Sequence, residues 1–300
     1  MTEITILTPT YNRGILLRNL YNSLINQTNK EFVWYIVDDG SNDITKELVN
    51  SFINEKLMNI QYQYKPNGGK HTAINLALCN ITSKLTFIVD SDDILAEDAV
   101  EIILDYHNHY CNDRNICGYS FLRQFTNGQV NGKLFPKEAM VGSYIECRLN
   151  QRDYYADKAE VFLTSVLRQF PFPEYKGEKY VGEDLVWIRM ALQFNMVHIN
   201  KVIYIGDYLS DGLSKNRFKK ISSPRGEIDR AIMLMNKHCI QRIRVKGALI
   251  YIIYSKFANL GLHYALKHSP YKMLTFFYVI PAQFIYLHMK RKYKKIRKEI

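Results

Sequence analysis

Four short apolar runs, each followed by an amphipathic helical pattern, constrain this chain more than any other feature. Residues 4–8, 32–37, 60–64 and 85–89 read as strands. Between and after them, residues 15–25, 45–53, 70–78 and 96–108 read as helices. In the first, Leu16, Leu17, Leu20, Leu24 and Ile25 recur at helical spacing. Residues 32–37 form an unbroken apolar run, as a strand buried on both faces requires. The order βαβαβαβα calls for a parallel sheet with helices on both faces. The pattern then changes. Asn127-Gly128 between residues 119–125 and 130–135 is a hairpin signal. Residues 183–194 read as a helix and 197–205 as a strand. From about Lys219 the chain is helical, apolar and basic. The expected organisation is an α/β domain over residues 1–215, divided near residue 110, and a helical C-terminal region over 216–300.

In an open parallel sheet, ligands bind outside the carboxyl ends of the strands. Four polar segments occupy those positions: residues 8–13, 38–41, 65–70 and 90–93. Most have an ordinary reading as turns and helix caps, which favour Asp, Ser, Asn and Gly. The fourth is harder to explain that way. Asp90, Asp92 and Asp93 follow an apolar strand directly, and their like charges repel at close range. A divalent ion with a preference for oxygen ligands, Mg²⁺ or Mn²⁺, would relieve that repulsion. The chain has no GxGxxG after its first strand, no GxxxxGK[ST] and no GxSxG. Dinucleotide, P-loop and serine-hydrolase chemistry are therefore not expected.

Taken together, these segments resemble the family 2 glycosyltransferases with the GT-A fold. The resemblance rests on Thr8-Pro9-Thr10-Tyr11-Asn12-Arg13, on residues 37–43, on Asn67-Gly68-Gly69 and on residues 89–93. A fifth element, Gly182-Glu183-Asp184 followed by Leu185-Val186-Trp187, resembles the acidic acceptor motif of that family. Residues 174–180 and 211–216 resemble the subgroup that assembles bacterial capsular and other surface polysaccharides. The expected fold is thus α/β, a GT-A, mostly parallel sheet flanked by helices.

The resemblance also implies roles. Thr8, Pro9 and Tyr11 hold the nucleobase, read as uracil. Asp39 or Asp38 accepts from the uracil imide or the ribose. Arg13 and Lys70 face the diphosphate. Asp92 is the first choice of metal ligand. Asp90 contacts the ribose or the metal, with Ser91 beside it and Asp93 a weaker candidate. The cofactor is Mn²⁺ or Mg²⁺. Asp184 or Glu183 is the base that deprotonates the acceptor hydroxyl, with a slight preference for Asp184. The implied reaction is inverting transfer from a nucleotide-sugar, read as a UDP-sugar, to a glycan or lipid-linked acceptor.

Composition sharpens the surroundings of this reading. The chain is 47% hydrophobic and 23% charged, enough for a substantial core. Its net charge of +11 would suit a polyanionic partner. However, residues 289–300 set seven basic side chains against Glu299 alone, so +6 of that charge is terminal. A nucleic-acid partner is therefore not expected. An amphipathic region followed by a basic run suits an anionic inner-leaflet surface instead. Residues 273–289 form the one long apolar run, interrupted by Pro281, Gln283 and His288. They are expected to lie in the protein or the membrane interface rather than to span a bilayer. Five cysteines without a CxxC pair, and no basic-then-apolar N-terminus, suggest a reduced, cytoplasmic setting. The alternatives are a sugar-phosphate nucleotidylyltransferase, a basic nucleic-acid-binding protein and a non-catalytic relative of the glycosyltransferases.

Overall fold

The computed structural model describes residues 2–154, 156–209 and 217–296. Two compact units result: Met1–Phe172 with Met190–Tyr208, and Pro173–Arg189 with Leu209–Ile300. The expected boundary at residue 215, and the motif at 211–216, lie outside the described residues.

In the first unit, the alternation read from the sequence becomes β1 (Ile4–Thr10), α1 (Gly14–Ile25), β2 (Phe32–Asp38), α2 (Thr45–Glu55), β3 (Asn59–Tyr64), α3 (Lys70–Leu78) and β4 (Leu85–Ile88). These four strands are parallel, in the order β3-β2-β1-β4. Every residue of β1 and β2 is buried, which is why both read as continuous apolar runs. Tyr21 of α1 stacks on Phe52 of α2 at 3.9 Å, and Trp34 of β2 completes this part of the core.

Beyond β4 come β5 (Ile94–Leu95), α4 (Ala99–Tyr110), β6 (Ile116–Gln124), β7 (Ala139–Gly142), a π-helical turn (Ile145–Leu149), β8 (Ala159–Leu163), α5 (Thr164–Leu167) and β9 (Asn195–Ile205). The sheet continues as β4-β8-β6-β9-β5, with β7 on β9. β8 runs antiparallel to both β4 and β6, and β6 pairs with β9 in parallel. The second half of the sheet is therefore mixed, a feature the sequence alternation did not announce. Its short strands β5, β7 and β8 span two, four and five residues and do not continue the strand–helix alternation of the first half.

The hairpin expected at Asn127-Gly128 forms only in part. Gly128 takes the left-handed conformation at φ 84°, and Phe125 N–H donates to the Gln129 carbonyl. Pairing then ends at a single bridge, Gln124 to Val130. Asn131 N–H still donates to the Arg123 carbonyl, and side chains bond the backbone that follows as well: Lys158 donates to the Asn131 carbonyl, and Asn200 accepts from Phe135 N–H.

The second unit is helical, as expected of the C-terminal region. It contains the start of α6 (Asp184–Ala191), then α7 (Arg217–Ser222), α8 (Pro224–Leu234), α9 (Gln241–Phe257), α10 (Gly261–His268), α11 (Lys272–Phe277) and α12 (Val279–Ile296). α8 and α9 approach closely at Gly247, where a Cβ would lie 2.9 Å from the Ala231 carbonyl. Ile228, Ala231, Met235, Ala248, Tyr251 and Ile252 fill their contact. The apolar run at 273–289 is broken at Tyr278 into two helices. Among the described residues, no helix is long and apolar enough to cross a membrane.

Candidate active site

The polar segments after β1, β2, β3 and β4 are tied to one another at the carboxyl edge of the parallel strands. Asn12 N–H donates to Ser41 Oγ at 2.8 Å, and Asn42 N–H returns a bond to Asn12 Oδ1 at 2.9 Å. Asp43 accepts from Gly14 N–H at 3.1 Å. Gly40, at φ 86°, lets the second loop meet the third: a Cβ there would lie 2.7 Å from Asn67 N.

Asp38 and Asp39 are both buried and both bonded within the protein. Asp38 accepts from Ser41 N–H and from the Tyr62 hydroxyl, each at 2.7 Å. Asp39 cradles the third loop. Oδ1 accepts from Lys65 Nζ at 2.6 Å and Gly68 N–H at 2.8 Å. Oδ2 accepts from Asn67 Nδ2 at 3.1 Å and Gly69 N–H at 2.7 Å. A carboxylate has about four acceptor directions, and these bonds use them. A nucleobase bound by Asp39 would displace one of these donors. Thr8 is also committed, accepting from Trp34 Nε1 at 3.0 Å, and Pro9 pairs with Val37 inside the sheet. Tyr11, by contrast, is about half exposed (48%).

After β4, Asp90, Asp92 and Asp93 offer ligand atoms that all lie within 4.8 Å of one another. Their environments differ sharply. Asp90 forms an ion pair with Lys70, the first residue of α3. Burial pushes the Asp90 pKa up, but Lys70 outweighs it and holds the carboxyl below the usual range. Burial and the Asp90 charge raise Asp92 above that range. Asp92 accepts no side-chain hydrogen bond among the described residues and remains partly accessible. Ser91 beside it is buried.

Asp93 points into the protein. It accepts from Arg123 Nη2 at 2.9 Å and from the Tyr204 hydroxyl at 2.8 Å. Burial above all, with Asp90 and Asp92 adding, pushes its pKa to about 7 against the pull of Arg123 and Tyr204. Tyr204 also accepts from Asp90 N–H at 3.0 Å, so one hydroxyl fixes both ends of the acidic segment. At Gly206 a Cβ would fall 1.6 Å from Asp93 Oδ1, so the end of β9 must be free of any side chain. Arg123, Tyr204 and Gly206 were not singled out from the sequence. They lie 30 to 113 positions from Asp93, and no local pattern marks them.

The acidic pair lies in the second unit. The chain before it is fastened to α8. Glu178 accepts from Arg225 N–H at 3.0 Å and Gly226 N–H at 3.3 Å, placing a carboxylate on the helix N-terminus. Lys179 N–H donates to Ser223 Oγ at 3.2 Å, and the Tyr175 hydroxyl donates to Asp229. The 174–180 stretch thus anchors the acidic motif. Asp184 opens α6 and is gripped by Arg230, whose Nε donates to both carboxylate oxygens at 2.8 and 2.7 Å. Burial raises the Asp184 pKa, but Arg230, with Lys220 and Lys246, more than reverses this. Glu183 is half-buried, and its carbonyl accepts from Val186 N–H at 2.9 Å.

Residues 5–172, more than half of the chain, match the family description "Glycosyl transferase family 2". The chain belongs to glycosyl transferase family 2. An uncharacterized glycosyltransferase of Rickettsia conorii is 31% identical over 147 residues, 45% of this chain. The match covers under a quarter of that protein's length (23%). A Campylobacter jejuni protein named GalNAc(5)-diNAcBac-PP-undecaprenol beta-1,3-glucosyltransferase is 24% identical over 234 residues, 73% of this chain and 71% of its own. Among solved structures, S. aureus TarS 1-349 in complex with UDP-GlcNAc superposes with a TM-score of 0.64 at 20% identity, over 85% of this chain and 72% of that one. At that identity the likeness speaks to fold, and the fold is GT-A. Family 2 membership also decides against the nucleotidylyltransferase alternative.

The acidic segment of this family 2 chain fits a hard divalent ion by the chemistry of its donors. Three carboxylates converge, and the pKa values of two are raised by crowding and burial. Asp93 is already bonded to Arg123 and Tyr204, which leaves Asp92 and Asp90 as the accessible donors.

Proposed function

We propose that the chain is an inverting, metal-dependent glycosyltransferase. It takes a sugar from a nucleotide-sugar, read as a UDP-sugar, and passes it to a glycan or lipid-linked acceptor in bacterial surface polysaccharide synthesis. The observation that carries this is the Asp90, Asp92, Asp93 cluster at the end of β4, with Lys70 reaching Asp90 from the start of α3. The UDP-GlcNAc complex of TarS and the lipid-linked name of the Campylobacter relative support the donor and acceptor classes.

Tyr11 offers an aromatic face on which a base stacks. Asp39 or Asp38 accepts from the uracil imide or the ribose, and both carboxylates order the loops around the base. Lys70 and Arg13 supply positive charge for the diphosphate, Lys70 exchanging its Asp90 partner for a phosphate oxygen. Asp92 and Asp90 would hold Mn²⁺ or Mg²⁺, which when bound neutralises charge on the departing nucleoside diphosphate. The acceptor hydroxyl attacks the anomeric carbon from the face opposite that leaving group. Its proton passes to a carboxylate of the acidic pair, Asp184 or Glu183. The Arg230 pair keeps Asp184 ionised, and so ready to accept, at neutral pH.

The protein would act at the inner face of the plasma membrane as a peripheral protein, beside lipid-linked acceptors. The test is transfer, or donor hydrolysis, from a panel of sugar nucleotides with Mn²⁺ or Mg²⁺. Turnover that needs the ion, favours one UDP-sugar and disappears in Asp92→Ala is expected. Full turnover in chelator, or in Asp92→Ala, would remove the metal assignment.

A further inference from the structure

The outward faces of α11 and α12 are apolar and uncovered. Their inward faces pack on the second unit: Thr275 and Ala282 are fully buried, and Tyr286 and Met289 pack on its core. Lys256 from α9 reaches Gln283 and lies over the Tyr286 ring at 4.8 Å. Opposite this fixed stripe, Met273 is 69%, Phe276 63%, Phe277 67%, Ile280 70% and Phe284 70% exposed. Ile280, Phe284 and Leu287 follow one another at i, i+4 and i+7 along the solvent side of α12. Soluble proteins seldom leave a contiguous apolar patch beyond roughly 300–600 Å² without a use for it, and three phenylalanines with two aliphatic neighbours reach that scale.

The charge around this face identifies what covers it. From Gln241 to Ile296 the sequence has eleven Lys or Arg and not one Asp or Glu. The row that begins with Ile280, Phe284 and Leu287 continues into Arg291 and Lys294, both exposed. The same helix face is therefore apolar in its first turns and cationic in its last ones. A second copy of the chain would set one acid-free surface against another. An anionic bilayer meets both halves, with acyl chains for the aromatic part and phosphate headgroups for the basic part.

We propose that the outward faces of α11 and α12 form a membrane-docking surface. In it, Met273, Phe276, Phe277, Ile280 and Phe284 enter the acyl boundary of an anionic leaflet, and Lys290, Arg291, Lys292 and Lys294 hold its headgroups. This rests on the peripheral-membrane reading above and deepens it. Attachment is shared between an inserted apolar face and the basic run, instead of depending on the charged terminus alone.

The test is flotation of the full chain with phosphatidylcholine vesicles and with vesicles containing phosphatidylglycerol. Binding to the anionic vesicles is expected. In Phe276→Ser/Phe284→Ser it should fall roughly 10-fold or more, while the melting temperature and donor hydrolysis stay unchanged. Arg291→Glu/Lys294→Glu should reduce it towards the level on neutral vesicles. A Phe284→Trp reporter should be quenched by lipids brominated in the acyl chain. If wild-type protein floats but the double serine variant floats equally well, the inserted face is wrong and the peripheral reading stands. If no vesicle binds, both fall, and donor turnover still reports independently on the glycosyltransferase. A dimer in light scattering that the serine variant dissolves, without vesicle binding, makes a second copy the occupant and overturns the proposal.

Discussion

Arg230 Nε donates to both oxygens of Asp184, at 2.8 and 2.7 Å, across 46 positions of sequence. Arg230, which also lies 3.5 Å from Glu227, holds the Asp184 pKa below the usual carboxylate range.

The first prediction concerns that pair. In Arg230→Gln the Asp184 pKa rises, because the group that favours its ionised form is gone. The acid limb of the kcat profile should then move to higher pH if Asp184 is the base. If the base is Glu183, the limb should stay in place. The same substitution leaves a largely buried charge unpaired, which costs about 3–5 kcal/mol, so the profile is measured well below the variant's melting temperature. Asp184→Asn and Glu183→Gln then separate the two roles directly.

The second concerns the acidic segment. Asp92→Asn and Asp90→Asn should each lower kcat/KM by roughly 10²-fold or more, the scale of losing one electrostatic contact to a developing charge. Asp93→Asn should act differently. It leaves Arg123 buried without its anion, so melting temperature should fall together with activity. Thermal unfolding and steady-state turnover on the three variants distinguish these outcomes.

A third variant, Gly206→Ala, tests the inward anchor of Asp93. The added methyl collides with Asp93 Oδ1, and the ion pair with Arg123 must move. Overpacking of this kind costs about 1–3 kcal/mol. A melting temperature equal to wild type would show that the end of β9 has room the geometry denies.

The fourth follows from His198 on β9, which is fully buried with Nε2–H donating to the Gly142 carbonyl at 3.2 Å. Burial first, then repulsion from Arg148, lowers its pKa to about 3. The unfolded chain therefore binds a proton below pH ~6.5 that the folded chain refuses. Stability contributed by the neutral ring is present above that pH and is lost as pH falls towards 3. His198→Gln should be less stable at pH 7 but lose less on acidification from pH 6.5 to 4, followed by denaturant midpoints across that range.

Much of the fold was legible because its first half is periodic. The helices at 15–25 and 45–53 show one apolar face each, and β1 and β2 are buried on both sides. β5, β7 and β8 were not legible, since they are short and, unlike the equally short β4, do not fall within the regular strand–helix alternation. Loop residues of the site were legible by position, directly after strands. Their internal partners were not. That Asp39 accepts from Lys65, Asn67, Gly68 and Gly69 could not be read from the sequence, because only the folded loops bring those donors to it.

The sequence by itself determined the alternating sheet, the acidic segment at the end of β4 and the basic, acid-free C-terminal region. These are local properties: burial period, neighbouring charges and composition are carried by adjacent residues. The tertiary structure decided which aspartate turns inward to Arg123 and Tyr204, which acid of the pair meets Arg230, and which side of α11 and α12 stays uncovered. Those outcomes depend on groups 30 to 111 positions apart, or on which helix face the core of the second unit consumes. Only the folded chain brings such groups within the few ångströms over which hydrogen bonds and close packing act.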